Sequence, residues 1–163
     1  MKKFLLFVIL STVLFSCKTM EMGPKATPDQ LTYSEIIELP NITQDELYIK
    51  ANSWFVDNFN DAESVIQFQD KEAGKLMGKY VTSAKMSIYN YRIKSTIQID
   101  LKENKVRVTF KDPYFKAVSD DTGNVYNESY KPLVSKDGVA MAQNNWKNLN
   151  TSLKEYLNSD DNW

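Results

Sequence analysis

Residues 91–113 read YRIKSTIQIDLKENKVRVTFKDP, and this stretch decides the fold class. From residue 91 to residue 102, side chains of one parity are mostly apolar, whereas those of the other parity are polar or charged. Such alternation is typical of an antiparallel strand with one face on a core and the other in water. The apolar parity comprises Tyr91, Ile93, Ser95, Ile97, Ile99 and Leu101.

A second strand follows, because the alternation resumes after Glu103 and Asn104 and continues to Phe110. A one-residue shift between the strands would bury the charged row, so the apolar residues fix the register. Glu103 is a poor residue for a positive φ, and a four-residue loop would keep the same facing pairs, so the turn length stays open. The predicted pairs are Leu101 with Val106, Ile99 with Val108, Ile97 with Phe110, and Asp100 with Arg107.

Asp112 and Pro113 are predicted to end this ladder, because proline offers no backbone donor. Residues 114–135 are then expected to form a long irregular stretch, with residues 120–124 (DDTGN) as a solvated turn. The spacing of acids in that turn does not match a calcium-binding loop.

The polar parity of the two strands is a candidate ligand-binding face. It carries five basic residues against a single acid, Asp100, which is expected to neutralise Arg107 across the strands. Unpaired cations along a ladder suit an anionic ligand such as an acidic glycan or a lipid headgroup. Exposed β faces also carry basic residues simply for solubility and to resist edge pairing, and that interpretation stays open. The five residues are Arg92, Lys94, Lys102, Arg107 and Lys111.

The stretch DKEAGKLMGK, residues 70–79, contains two Gly-Lys pairs and raises the question of a phosphate-binding loop. Neither pair is followed by Ser or Thr or by a helical pattern, so the stretch is predicted to be a hairpin. Gly74 is expected to supply a positive φ, and Gly78 a bulge or a close backbone approach. Asp70 and Glu72 in this turn are the candidate acids if the protein is a carboxylate-dependent hydrolase acting on envelope glycans.

Two amphipathic helices complete the predicted fold. Thr43 and Glu46 form a capping box at the start of the first helix, whose apolar face includes Trp54 and Phe55 as core residues. A second helix runs from about Val139 to Leu157. With a first strand at residues 33–39, the order is β-α-β-β-β-β-α, which places the chain in the α+β class.

The N-terminus has the features of a bacterial lipoprotein signal. Lys2 and Lys3 precede the apolar run FLLFVILSTVLF, which is too short to span a bilayer, and the run ends in a Leu-Phe-Ser-Cys sequence that resembles a lipobox. Cys17 is the predicted site of lipidation, and it is the only cysteine of the chain. Lys18 after it favours, by resemblance, the outer membrane facing the periplasm. The predicted divisions are a signal peptide at 1–16, a lipidated tether at 17–31, one globular domain at 32–158 and a polar tail at 159–163.

Composition narrows the function further. The chain has 163 residues, 42% of them hydrophobic, which suits one globular domain. It contains no histidine, so imidazole-based catalytic triads are excluded, and neither a metal nor another cofactor is expected. Removal of Lys2 and Lys3 with the signal leaves 18 basic against 21 acidic residues, a formal net charge of −3. That acidity argues against nonspecific binding of nucleic acid.

Three segments, ELPNITQDELYIKANSWFVDNF, VIQFQDKEAGKLMGK and VRVTFKDPYF, resemble a family of Bacteroidetes envelope proteins of unknown function. The domain of that family is described as TATA-binding-protein-like, and the resemblance covers roughly residues 36–115. It implies a curved antiparallel sheet with helices on one face and an exported setting, and it implies no activity.

Three functions are compatible with the sequence. The favoured one is a non-enzymatic module, anchored to a membrane by its N-terminal lipid, that binds an anionic glycan, a lipid headgroup or an envelope protein. The alternatives are the glycan hydrolase and nucleic-acid binding through the open sheet face. No nucleic-acid partner is expected, because Tyr91 falls on the apolar parity and offers no stacking platform.

Overall fold

The structure is a computed structural model, and it describes residues 24–59 and 65–159. The elements in chain order are a 3₁₀ turn (Pro28–Leu31), β1 (Thr32–Glu38), α1 (Gln44–Asn58), β2 (Val65–Asp70), β3 (Lys75–Met86), β4 (Tyr89–Lys102), β5 (Lys105–Asp120), β6 (Lys131–Pro132) and α2 (Lys136–Asn158). The predicted α+β class and element order are confirmed, with the two-residue β6 as an addition.

The strands form one antiparallel sheet in the order β1-β5-β4-β3-β2, and β6 pairs with β5. The predicted register of β4 and β5 is confirmed: the three apolar pairs and the Asp100–Arg107 pair lie opposite each other. The turn between them has two residues, and only Asn104 has a positive φ, of 64°. Glu103 therefore avoids the conformation that glutamate disfavours.

Asp112 and Pro113 do not end the ladder, and this prediction is wrong. The strand β5 continues to Asp120, because a bulge accommodates both residues: Lys94 pairs with Tyr114 and Thr96 with Lys111, which leaves one extra residue on β5. Asp112 has a φ of 54° at this bulge. A bulge leaves a residue outside the hydrogen-bonded ladder, so a proline there costs no ladder bond.

The core lies between one face of the sheet and the two helices. The predicted core residues Trp54 and Phe55 are fully buried, and so is Phe110, whose ring stacks on Trp146 at a centroid distance of 6.0 Å. The indole Nε1 of Trp146 donates a hydrogen bond of 2.9 Å to Oγ of Ser95, which explains a serine on the apolar parity of β4. The predicted capping box of Thr43 and Glu46 is present at the start of α1.

The stretch with the two Gly-Lys pairs is a hairpin, as predicted. Gly74 has a φ of 60°, and its carbonyl accepts a 2.7 Å hydrogen bond from the amide of Leu101. A Cβ at this position would lie 2.4 Å from the carbonyl oxygen of Leu101, so the close approach requires glycine. Gly78 is buried, and the bulge of this hairpin lies opposite it in β2, between Ile66 and Phe68.

Part of the predicted tether contacts the domain. Lys25 forms an isolated antiparallel β-bridge with Ser135, and the amide of Ala26 donates to the carbonyl of Val134 at 2.7 Å. Leu31 packs against the core. The predicted signal peptide at 1–16 and the lipidation site Cys17 lie outside the described residues. Within the described part of the chain, no helix combines the length and apolar character needed to cross a membrane.

Candidate anion-binding face

The sheet face opposite the helices, here called the open face, carries all five basic residues of the sequence prediction. On β4 the residues of the inner parity, such as Ile93 and Ile97, are buried, so the alternate residues point away from the helices. The β4–β5 register places Arg107 and Lys111 beside that outward row. The open face has three groups of basic residues, which lie at successive positions along the strands.

The first group, the hairpin-end cluster, surrounds a depression of about 190 Å³ near the β4–β5 turn. Its lining residues are Ile36, Asp100, Lys102, Lys105 and Arg107. The Arg107 guanidinium donates to Oδ2 of Asp100 through Nε at 3.2 Å and Nη2 at 3.0 Å. Lys102 and Lys105, which face each other across the strands, are exposed.

Asp100 at the base of this cluster has several partners. Besides Arg107, it accepts hydrogen bonds of 3.2 Å from Nε2 of Gln98, and Nζ of Lys75 lies 3.9 Å from its Oδ1. The Asp100 side chain is only 15% exposed, whereas that of Arg107 is 58% exposed. The one carboxylate in the depression is thus enclosed by its partners, and the cations project into solvent.

The second group, the central cluster, consists of Lys79 and Lys111 on either side of Thr96 and lies at the β5 bulge. Nζ of Lys79 contacts Oγ1 of Thr96 at 2.5 Å, and the same hydroxyl lies 3.3 Å from Oδ2 of Asp112. Lys111 pairs with Thr96 across the strands. Thr96 is buried on the open face because these longer side chains cover it. Asp112 is a further acid on this face, and so is the exposed Glu38 of β1, which pairs with Lys105, whereas the sequence predicted Asp100 alone.

The third group, the distal cluster, consists of Arg92, Lys94 and Lys116 with the ring of Tyr130. Arg92 pairs with Lys116 across the strands. Nζ of Lys94 lies 3.8 Å from the Tyr130 ring centroid, and Nζ of Lys116 lies 4.7 Å from it. Both distances are within the range of cation–π interaction. These three basic side chains are half-buried, unlike Lys102 and Lys105.

The five predicted residues therefore do not form one compact site. Lys102 and Arg107 come together at the hairpin end, whereas Arg92 and Lys94 lie toward the opposite end of β4, about 26–33 Å away at about 3.3 Å per residue. Lys111 lies between them. The sequence pattern did not reveal several other basic residues of this face, of which Lys105 shows the same parity as Arg107. They include Lys75, Lys79, Lys85, Lys105 and Lys116.

The acids considered for hydrolysis are engaged in local structure. Oδ1 of Asp70 accepts a 2.9 Å hydrogen bond from the amide of Ala73 within the same turn, and Glu72 is exposed. The neighbouring Lys71 forms an ion pair of 3.1 Å with Asp45 at the start of α1. Between Pro24 and Phe59 and between Val65 and Ser159, no group of three or more acids, histidines or cysteines could hold a metal ion.

Asp120 closes the turn at residues 120–124 as a hydrogen-bond acceptor. Its carboxylate accepts from the side chains of Thr122 at 2.6 Å, Tyr126 at 2.5 Å and Asn124 at 3.0 Å. These donors hold the pKa of Asp120 well below its usual range, and the bond to Asp120 raises the pKa of Tyr126 to about 12. The acid therefore stabilises its own turn through these hydrogen bonds.

Residues 33–116 match a family model described as a domain of unknown function (DUF4468) with TBP-like fold. The chain belongs to this family. The DUF4468 chain resembles a crystal structure of a TBP-like protein from Parabacteroides distasonis, with a TM-score of 0.64 and 15% identity over 86% of this chain and 100% of that chain. It also resembles a DUF4468 family protein from Bacteroides ovatus, with a TM-score of 0.55 and 15% identity over 88% and 95% of the two chains.

A comparison with curated proteins found no match. At 15% identity, the two solved structures establish the fold of the DUF4468 chain and nothing about its ligand. The predicted TBP-like fold, a curved open sheet with two helices, is confirmed. The family is one of unknown function, as the sequence resemblance implied.

Proposed function

We propose that this protein is a non-enzymatic binding module of the bacterial cell envelope, tethered to a membrane by lipid on Cys17, whose open face binds an anionic ligand. The observation that supports binding is the hairpin-end cluster, where Lys102 and Lys105 project beside Arg107 over an enclosed Asp100. A ligand there meets two exposed ammonium groups and a guanidinium, while Asp100, which lines the depression, is already paired and the exposed Glu38 lies across the strands from Lys105. A surface of this kind attracts anions and loses that attraction as salt rises.

The binding proposal is tested by charge reversal at the two exposed lysines. Lys102→Glu with Lys105→Glu should weaken retention on an immobilised acidic polysaccharide by at least about tenfold at low salt, because each reversal replaces an attraction of about 1 kcal/mol by a similar repulsion. Both side chains are exposed, so the free energy of unfolding should change by less than about 0.5 kcal/mol.

The matched control reverses two exposed lysines of α2, Lys147→Glu with Lys154→Glu, which changes the net charge equally on the other side of the molecule. At about 0.1 M ionic strength, where the Debye length is about 10 Å, retention of this control should stay within about twofold of the wild type, since its charges lie on the helix layer behind the sheet. Equal loss in both variants would mean that net charge alone governs retention, and the open face would then have no special role.

The anchor proposal rests on the lipobox-like sequence before Cys17. Two acyl chains, each contributing about 0.8 kcal/mol per buried methylene, give stable membrane attachment where one chain does not. In a bacterial host that processes lipoproteins, Cys17→Ser should abolish palmitate labelling and release the protein from the membrane fraction or leave it uncleaved. A Cys17→Ser protein that still labels and fractionates with outer membranes would overturn the anchor, with no bearing on the open face.

A further inference from the structure

Resting on the proposed anion binding, we infer that the open face takes a linear acidic glycan with widely spaced carboxylates, which lies along β4 and β5 across all three basic clusters. A single headgroup would use only one of them. The arrangement of charge, the polar groups between the charges and the aromatic rings of the face each support this ligand class.

The three clusters lie on a line along the strands. The position of each cluster can be given by one residue of β4: Asp100 for the hairpin-end cluster, Thr96 for the central cluster and Arg92 for the distal cluster. Successive clusters are therefore separated by four residues along β4. At about 3.3 Å per residue the spacing is about 13 Å, and the full track from Lys102 to Arg92 is about 33 Å long. A polymer with one negative charge per repeat unit of similar length would meet a cation at each repeat.

The groups between the clusters suit sugar hydroxyls. Ser34, Thr109 and Gln98 lie side by side on the open face of β1, β5 and β4, between the hairpin-end and central clusters. Oγ of Ser34 donates to the carbonyl of Val108 at 3.1 Å and lies 3.0 Å from Oγ1 of Thr109, so these hydroxyls offer their remaining acceptor capacity to a ligand. Neutral hydroxyl and amide groups at this position match the uncharged sugar between two acidic ones.

Aromatic rings lie at the distal end of the track. Tyr114, 39% exposed, pairs with Lys94, and Tyr130 lies against Lys94 and Lys116. Aromatic faces beside cations bind flat rings, including the apolar faces of sugars and nucleic-acid bases. The spacing of charges favours a glycan over a nucleic acid. Duplex DNA carries a phosphate about every 3.4 Å along each strand, whereas the basic clusters are about 13 Å apart.

The test is a length series of hyaluronan oligosaccharides, which carry one carboxylate per disaccharide, from the disaccharide to the dodecasaccharide, titrated into the full chain in a neutral detergent. Affinity should rise by at least about tenfold and then level off once the oligosaccharide spans about 33 Å, because linked sites bind with a high effective concentration. Lys116→Gln should weaken binding of the longest oligosaccharides and leave the shortest ones, held at the hairpin end, unaffected.

The outcomes separate this inference from the proposal on which it rests. The extended track would be overturned if the disaccharide and the dodecasaccharide bound with equal affinity. If Lys102→Glu with Lys105→Glu also lowered both affinities, a single anion site would remain. If single-stranded DNA of matched length bound more tightly than the oligosaccharide, the ligand of the track would be a nucleic acid, and the glycan inference would be overturned. Failure of the wild type to bind any of these anions, inorganic phosphate included, would overturn the proposed function itself.

Discussion

Substitution of Gly74 by alanine tests the structural account of the hairpin that carries the Gly-Lys pairs. Gly74 has a φ of 60°, a left-handed conformation that costs a non-glycine residue about 1–2 kcal/mol. The new Cβ would lie 2.4 Å from the carbonyl oxygen of Leu101, so the two backbones must separate. That separation weakens the 2.7 Å bond from the amide of Leu101 to Gly74, worth about 1 kcal/mol. We expect Gly74→Ala to lower the free energy of unfolding by about 2–4 kcal/mol.

Urea denaturation of Gly74→Ala and of the control Gly123→Ala measures the difference. Gly123 has a φ of 90°, and no atom lies within 4 Å of the position that a Cβ would take, so alanine there adds backbone strain without a clash. Since 90° lies further from the left-handed minimum than 60°, strain alone would make the control the more costly change. Hydrogen exchange of the Leu101 amide should accelerate only in Gly74→Ala. A control that is as destabilised as Gly74→Ala, with Leu101 still protected, would refute the close-approach argument.

Three further changes have expected outcomes. Trp146→Phe should cost about 2 kcal/mol in urea denaturation, because it leaves the buried hydroxyl of Ser95 without its indole donor, and Ser95→Ala should recover part of that loss. Asp120→Asn should lower the melting temperature at pH 7. The pKa of Asp120 in the folded state lies below its unfolded value of 3.8, so the difference in melting temperature between variant and wild type should shrink as pH falls below about 4. Asp100→Asn should strengthen binding of an acidic polysaccharide about threefold, as removal of one charge about 6 Å from the ligand in water predicts, and unchanged affinity would count against binding at the hairpin end.

The sequence predicted most of the sheet because the alternation from residue 91 to 110 admits one register. The prediction is wrong at Asp112 and Pro113, where the missing backbone donor of proline favours an end of the strand but a bulge lets the strand continue. The alternation continues beyond them with its parity shifted by one, since Phe115 and Ala117 point inward and Tyr114 and Lys116 outward. Allowing for a one-residue bulge would have extended β5 and added Lys116 to the open face.

The candidate site was less predictable than the fold for two physical reasons. Alternation within β4 and β5 shows which residues share a face, yet it does not show which basic residues of β3, such as Lys79, lie beside them. The ring of Tyr130 lies against Lys94 of β4 and Lys116 of β5, although Tyr130 follows the turn at residues 120–124 and directly precedes β6, and no local pattern encodes this contact. Periodicity therefore predicts a face, while tertiary pairing decides which of its residues are neighbours.

The central claim is that ligands bind to the open face of the sheet. Amide chemical shifts of the labelled protein, recorded during titration with a hyaluronan dodecasaccharide, test it residue by residue. We expect the largest changes on the outward positions of β4 and β5, with Lys102 and Lys105 responding at the lowest ligand concentration and α2 remaining unchanged. Changes confined to α1 and α2, with β4 and β5 unaffected at saturation, would contradict the claim.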